Sequence, residues 1–334
     1  NFVVDAKRMA LGDYRAYPNY DDFVANGYGG NATFLIPRRF IPTVSLARTN
    51  IIRLSHVDPN DYNDPAIRDY ALTLGNNDVG TTADSMLLLG ISNVFFLDSV
   101  CFVQSSAQSD PNADGGIRFN QAFSGDNPVA IFRGTNGGRV SLFVLGDAAG
   151  PGASGTGTKS IVNFSLGRVD ALIDRLYLAR DRTNSSDNAS AEATLTYDEG
   201  VIDANIAILG YQDNGNNLNE GGNLPTGPAR GTLNINGTGL FIVNDTLELG
   251  HTTADPADQR DPGSGFGRMS LNNDAVARVN TITVGGVTKA TVGNPVQNTI
   301  TLNGNANLII TNTIGADDAP LGTLTMSGSS KLTF

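Results

Sequence analysis

The sequence predicts an all-β chain wound as a β-solenoid, and three observations predict it. Apolar and polar residues alternate with a period of two in many short runs. One such unit recurs at unequal intervals, and segments dense in Gly, Asn, Asp, Pro and Ser separate the copies. Alternation is the mark of a strand with one buried face, and recurrence of a short strand unit is the mark of stacked coils.

The clearest unit is Thr232–Gly250, TLNINGTGLFIVNDTLELG. Leu233 and Ile235 alternate with Thr232, Asn234 and Asn236, a turn follows at Gly237–Gly239, and Leu240–Val243 continues. The Asn244-Asp245 pair forms a corner before Thr246–Leu249, which ends at Gly250. The same grammar is present in Ala193–Gly210, Arg268–Gly285, Thr299–Gly315 and Gly322–Phe334. Anchored on the first apolar residue, the copies begin at Leu195, Leu233, Met269, Ile300 and Leu324, with separations of 38, 36, 31 and 24. A coil of about 24 residues holds three short strands and their turns at ~3.3 Å per strand residue. The surplus falls in Arg180–Glu192, Tyr211–Ala229, His251–Phe266 and Gly286–Gln297, where turn-forming residues predict loops leaving at corners.

The runs TLNINGTG, NDTLELG and TLTMSGSSKLTF resemble the autotransporter-associated β-strand repeats of bacterial surface and secreted proteins. The resemblance covers residues 193–334 well and 85–192 loosely. It implies a right-handed parallel β-helix (β-solenoid) in an extracellular, cell-surface setting, and it implies no catalytic residue.

Residues 1–57 differ from the rest, with seven Lys and Arg against four Asp, while the whole chain carries a net charge of −11. They also hold Tyr14, Tyr17, Tyr20, Phe23 and Tyr28. Two roles are open for this segment. It is an N-terminal cap over the first coil, ahead of parallel β-helix repeats in 58–334, or it is a docking surface on which Tyr14, Arg15, Tyr17, Tyr20, Phe23, Arg38 and Arg39 meet the acidic body of another copy. Phe2, Val3, Ala6, Met9 and Ala10 have helical spacing and predict a short amphipathic helix ending at Gly12.

Next along the chain, Val57–Asp64 predicts a linker, and Ile51–Leu54, Tyr70–Leu74 and Ser85–Leu89 predict strands. The apolar run Asn93–Val103 predicts a strand buried on both faces, with Cys101, the sole cysteine, inside it. Val129–Phe132 and Arg139–Leu145 add two strands. In VDALIDRLYLAR the residues Val169, Leu172, Ile173 and Leu176 have helical spacing, but alignment to the repeat favours a strand with a corner at Ile173-Asp174 and with Leu176 and Leu178 inward.

One segment offers metal chemistry. Asp110, Asn112 and Asp114 followed by Gly115 match the opening of a calcium loop, yet Gln121 stands where a bidentate Glu belongs, so a structural calcium site and a solvated turn both remain open. Asp213–Glu220 has oxygen-rich composition without the spacing. His56 and His251 lie far apart without ligand spacing, and no GxSxG signal is present. No other cofactor is expected.

Polysaccharide cleavage on a β-helix would need carboxylates on one stacked face, for which Asp170, Asp174, Asp198, Glu199 and Asp203 are the candidates. Asp174 and Asp203 fall at the repeat corner, however, where turn geometry explains them, and Trp is absent. Asn234, Asn236, Asn272 and Asn303 recur at similar positions and predict side-chain ladders. Six N-x-S/T triplets begin at Asn31, Asn163, Asn184, Asn188, Asn236 and Asn244, of which Asn184 and Asn188 suit glycosylation.

The acidic balance argues against nucleic-acid binding, and no run of apolar residues is long enough for a membrane-spanning helix. Beginning at Asn1 and stopping at Phe334 inside a repeat, the sequence is expected to be a processed chain or a piece of a longer protein. The expected function is that of a non-enzymatic extracellular structural protein: a stalk, surface-layer or filament subunit that associates with copies of itself. A glycan-binding adhesin and a β-helical polysaccharide lyase or glycoside hydrolase are the alternatives.

Overall fold

The structure, a computed structural model, describes residues 1–13, 33–37, 43–56, 70–77, 85–105, 113–148, 158–181, 190–213, 228–253, 265–284, 298–315 and 322–334. Their regular elements are strands and one short 3-10 turn, Gln121–Phe123. Among them no helix is long and apolar enough to cross a membrane.

The chain runs through successive coils. β1 (Phe2–Ala6) and β2 (Arg8–Asp13) form the first, and β3 (Thr33–Pro37) pairs with the outer edge of β2. β4 (Thr43–Ser45), β5 (Thr49–Leu54) and β6 (Leu72–Asn77) form the second, and β7 (Ser85–Leu89), β8 (Ser92–Phe96) and β9 (Ser99–Ser105) the third. β10 (Ala113–Phe119), β11 (Val129–Arg133) and β12 (Val140–Ala148) make the fourth. From there each coil has two strands: β13 (Thr158–Asn163) with β14 (Arg168–Asp181), β15 (Ala191–Tyr197) with β16 (Glu199–Asp213), and β17 (Ala229–Ile235) with β18 (Leu240–Thr253). β19 (Gly265–Leu271) with β20 (Val276–Val284), β21 (Thr299–Leu302) with β22 (Asn307–Ile314), and β23 (Thr323–Met326) with β24 (Lys331–Thr333) complete the stack.

Every pairing is parallel. The first strand of each coil from the second onward contributes to a nine-stranded sheet, and the other strands form a fifteen-stranded sheet. The molecule is thus an all-β parallel solenoid, the architecture expected of a right-handed β-helix. Leu195, Leu233, Met269, Ile300 and Leu324 are successive register partners, as the repeat predicted.

A corner divides the larger sheet. In the first four coils it separates two strands, and from the fifth a single long strand passes it while pairing skips Asp174, Asn205, Asn244, Asp245 and Asn280. Ile173 and Leu176 are both buried across it, so the alternation changes phase there. The VDALIDRLYLAR segment is therefore strand, with Leu176 and Leu178 inward.

The same phase change corrects the helix expected over Phe2–Ala10, which is β1 and β2 instead. Val4, Ala6, Met9 and Leu11 are the buried residues, and the three-residue step from Ala6 to Met9 across the corner imitates helical spacing. Strands of residues 1–57 thus pair within the same sheets as later coils. Residues 14–32 and 38–42, which include Tyr14, Arg15, Tyr17, Tyr20, Phe23, Arg38 and Arg39, lie outside the described residues.

Inward side chains stack in columns, for example Leu87, Ile117, Val162, Leu195, Leu233, Met269 and Ile300, all buried and in register. Phenylalanines fill the middle of the stack: Phe95 and Phe132 lie parallel at 4.7 Å, and Phe132 meets Phe143 edge-on at 5.4 Å. Each such buried side chain contributes ~1.5–3 kcal/mol. β9 and β12 are buried on both faces, because Cys101, Leu142 and Val144 form an outer cluster with Tyr70.

In the second to seventh coils a left-handed residue occupies the same position near the end of the last strand: Gly75, Val103, Gly146, Ala179, Gly210 and Gly250, with φ between 62° and 77°. The strand stays paired for two or three residues beyond it before the chain leaves the sheet. Gly210 shows why glycine suits the place, since a Cβ would lie 2.3 Å from the Phe266 carbonyl oxygen.

Candidate functional site

The outer surface beside the mid-coil corner carries the most developed polar geometry. Asp5, Arg53, Phe96 and Arg133 are consecutive register partners at the ends of β1, β5, β8 and β11, so their side chains form one outward column. The Arg53 guanidinium lies over the Phe96 ring, 5.6 Å from its centroid.

In the fourth coil the chain makes an excursion at this corner, Gly134-Thr135-Asn136-Gly137-Gly138, before β12. The sequence dictates a tight turn: Asn136 Oδ1 accepts from the Gly138 amide at 2.9 Å, the Gly137 amide donates to Gly134 O at 2.8 Å, and Gly137 has φ +84°. Both feet of the turn are braced by arginine. Arg133 Nη1 donates to Phe132 O (2.8 Å) and Asp170 O (2.9 Å), and its Nη2 lies 2.8 Å from Asp170 Oδ2. Arg139 Nη1 donates to Ile173 O (3.0 Å) and Asp203 O (2.7 Å), and its Nη2 donates to Asp203 Oδ1 (2.9 Å). The turn overhangs a cleft of about 450 Å³ lined by Asp5, Arg53, Ser55, Phe96, Thr135 and Asn136.

Four of the five acids proposed for glycan cleavage, Asp170, Asp174, Asp198 and Asp203, are engaged in coil-to-coil contacts. Asp170 and Asp203 hold the two bracing arginines. Asp174 accepts from Asn205 Nδ2 at 2.7 Å, and Asn244 Nδ2 donates to Asp203 Oδ1 at 2.7 Å and contacts Asn205 Oδ1 at 3.2 Å. Asp174 and Asp203 are therefore brought into one network through Asn205 and Asn244. Asp198 lies elsewhere, at the turn between the sheets, where it accepts from Ser165 Oγ (2.9 Å) and Asn236 Nδ2 (3.0 Å). Glu199 is exposed at the start of β16.

From Asp198 a ladder continues. Asn272 donates to Asn236 at 2.9 Å, Asn303 to Asn272 at 2.8 Å, and Ser327 to Asn303 at 2.7 Å. These are the asparagines that the repeat singled out, and Asn234 makes a longer contact with Thr196 at 3.4 Å.

Asp110 and Asn112 lie outside the described residues, and Asp114 is in the backbone of β10 opposite Lys159. Gln121 follows β10 in the 3-10 turn, so an extended strand separates it from Asp114. Among the described residues no group of three or more His, Cys, Asp or Glu is placed to hold a metal ion. His56 is buried with Arg8 Nη2 at 2.9 Å from Nε2, whereas His251 stacks on Tyr211 at 4.5 Å with Nδ1 2.8 Å from Glu248 Oε1. The two histidines stand on different parts of the stack and form no site together.

Sequence reasoning missed two arrangements. The braced turn is single-copy, though its TNGG run is a turn signal. A buried trio was also hidden: Arg180 donates to both carboxylate oxygens of Asp147, and Tyr70 donates to Asp147 Oδ2 at 2.5 Å while contacting Arg180. Burial alone would lower the Arg180 pKa, but Asp147 and Tyr70 outweigh it and hold the pKa above the ordinary arginine value. Comparison with protein-family models, with curated proteins and with solved structures finds no match, so the parallel solenoid and its corner geometry are what characterise this chain.

Proposed function

We propose that the protein is a non-enzymatic extracellular structural solenoid, serving as a stalk, surface-layer element or filament subunit that associates with copies of itself. The ladder from Ser165 through Asp198, Asn236, Asn272 and Asn303 to Ser327 carries this reading, because it spends polar side chains on joining each coil to the next. Asp170, Asp174 and Asp203 are likewise held as acceptors in structural contacts, which suits a scaffold better than acid–base chemistry. The resemblance to autotransporter-associated repeats supports the cell-surface setting.

Negative-stain microscopy at low and high salt tests the assembly. Filaments that shorten with salt, and that are lost in the Arg15→Glu/Arg38→Glu/Arg39→Glu variant, are the expected result. Charge reversal is preferable to deleting residues 1–50, since deletion removes β1, β2, β3 and β4 from the sheets. Uniform single particles at both salts would overturn assembly. Turnover of a polysaccharide panel that disappears in Asp203→Asn would overturn the non-enzymatic reading.

A further inference from the structure

The cleft beneath the 134–138 turn has a construction that a scaffold does not require. Neighbouring coils pass the same corner compactly, the third at Leu97-Asp98 and the fifth to eighth within continuous strands. Among the described residues the fourth builds an overhang there, the second coil's passage at residues 57–69 lying outside them, and it fixes both feet with arginine–carboxylate pairs whose side chains are between 20% and 29% exposed. A roof held in this way needs little ordering when a ligand enters, which is the condition for useful affinity from a small contact area.

Its chemistry specifies the ligand. Although Asp5 and Arg53 are register partners, the guanidinium lies along the face of Phe96. Arg53 lines the cleft as a guanidinium of the kind that meets a carboxylate. Asp5 supplies acceptors for vicinal hydroxyls, and Ser55, Thr135 and Asn136 supply groups that both donate and accept. Phe96 adds an apolar flank for ring C–H groups. Asp5, Arg53 and Ser55 of the lining belong to the first 57 residues, which carry seven Lys and Arg against four Asp in a chain of net charge −11, a local balance that favours an anion. A volume of about 450 Å³ accommodates one or two sugar rings.

We infer that this cleft binds a carboxylated pyranose, the terminal hexuronate of a glycan, with Arg53 on the carboxylate and Asp5, Ser55, Thr135 and Asn136 on the hydroxyls. The inference goes beyond the scaffold function and is independent of self-assembly.

Saturation-transfer NMR and calorimetry on the full chain test it, with sodium glucuronate as probe and glucose, acetate and inorganic phosphate as comparators. Glucuronate is expected to bind saturably with Kd of about 1 mM, a value in keeping with a small open site. Arg53→Ala should weaken it at least about tenfold through loss of a charge-assisted pair, and Asn136→Ala should weaken it severalfold, with circular dichroism and Tm unchanged in both. Absence of saturable glucuronate binding overturns the inference. So does equal affinity for glucose, which would mean that the carboxylate is not read, or equal affinity for acetate or phosphate, which would make the cleft a bare anion site. Undiminished binding in Arg53→Ala would place the ligand elsewhere and overturn it as well.

Discussion

The guanidinium of Arg180 grips Asp147 through both carboxylate oxygens, Nε to Oδ1 and Nη2 to Oδ2, each at 3.0 Å, on side chains that are 5% and 0% exposed. Removing one partner strands the other in a buried site. Arg180→Met should cost about 3–5 kcal/mol in urea unfolding, whereas the joint Arg180→Met/Asp147→Leu/Tyr70→Phe replacement should recover most of that loss. If the single and joint variants were equally destabilised, packing and not charge would govern this site.

Tyr197 is fully buried and donates to Leu240 O at 3.0 Å, and burial raises its pKa well above the usual 10.0. The folded state therefore keeps the phenolic proton where the unfolded chain releases it. The associated stability is fully present below pH 10.0 and is lost as pH rises from there through the folded value. Urea midpoints measured at pH 8 and pH 11 should converge in Tyr197→Phe relative to the parent, at a baseline cost of about 1 kcal/mol for the lost hydrogen bond. An unchanged alkaline slope would count against it.

Asn272 both donates to Asn236 and accepts from Asn303, so Asn272→Ala removes two rungs. The expected loss is about 1–2 kcal/mol, compared with under about 0.5 kcal/mol for Asn305→Ala, whose single contact with Asp274 is exposed. Thermal or urea unfolding of the pair decides whether the ladder is a stability element.

Gly210 and Gly137 have similar left-handed backbones, φ +77° and +84°, but different surroundings. An added Cβ meets the Phe266 carbonyl oxygen at 2.3 Å at the first and nothing within 4 Å at the second. Gly210→Ala should lose about 3 kcal/mol or more, while Gly137→Ala should lose only the ~1 kcal/mol of backbone strain. Similar losses at both sites would mean that crowding at the coil end is relieved cheaply.

Legibility in the sequence followed repetition. The register of Leu195, Leu233, Met269, Ile300 and Leu324 and the Asn236–Asn272–Asn303 ladder were readable because each position has copies to compare. Phe2–Ala10 misled because a corner inside a strand pair shifts the inward phase by one residue, and Ala6 to Met9 then has the step of a helix. Arg133, Arg139 and the turn between them occur once, so no second copy exposed their role. Tyr70, Asp147 and Arg180 come from different coils, 77 and 110 residues from Tyr70 to its partners in the order Asp147, Arg180, and only stacking brings them together.

The departure of the chain at one corner of every coil has a consequence for engineering. Ser105 to Ala113, Ala148 to Thr158, Asp181 to Ala191, Asp213 to Ala229 and Thr253 to Gly265 are the anchor pairs, and the register on both sides of each is fixed by pairing with the strands of neighbouring coils. The number of residues between anchors is therefore decoupled from the stack. The corner is a row of sockets at a pitch of ~4.8 Å. Foreign peptides spliced between Asp181 and Ala191 and between Asp213 and Ala229 would be displayed side by side, each free to vary in length without disturbing its neighbour.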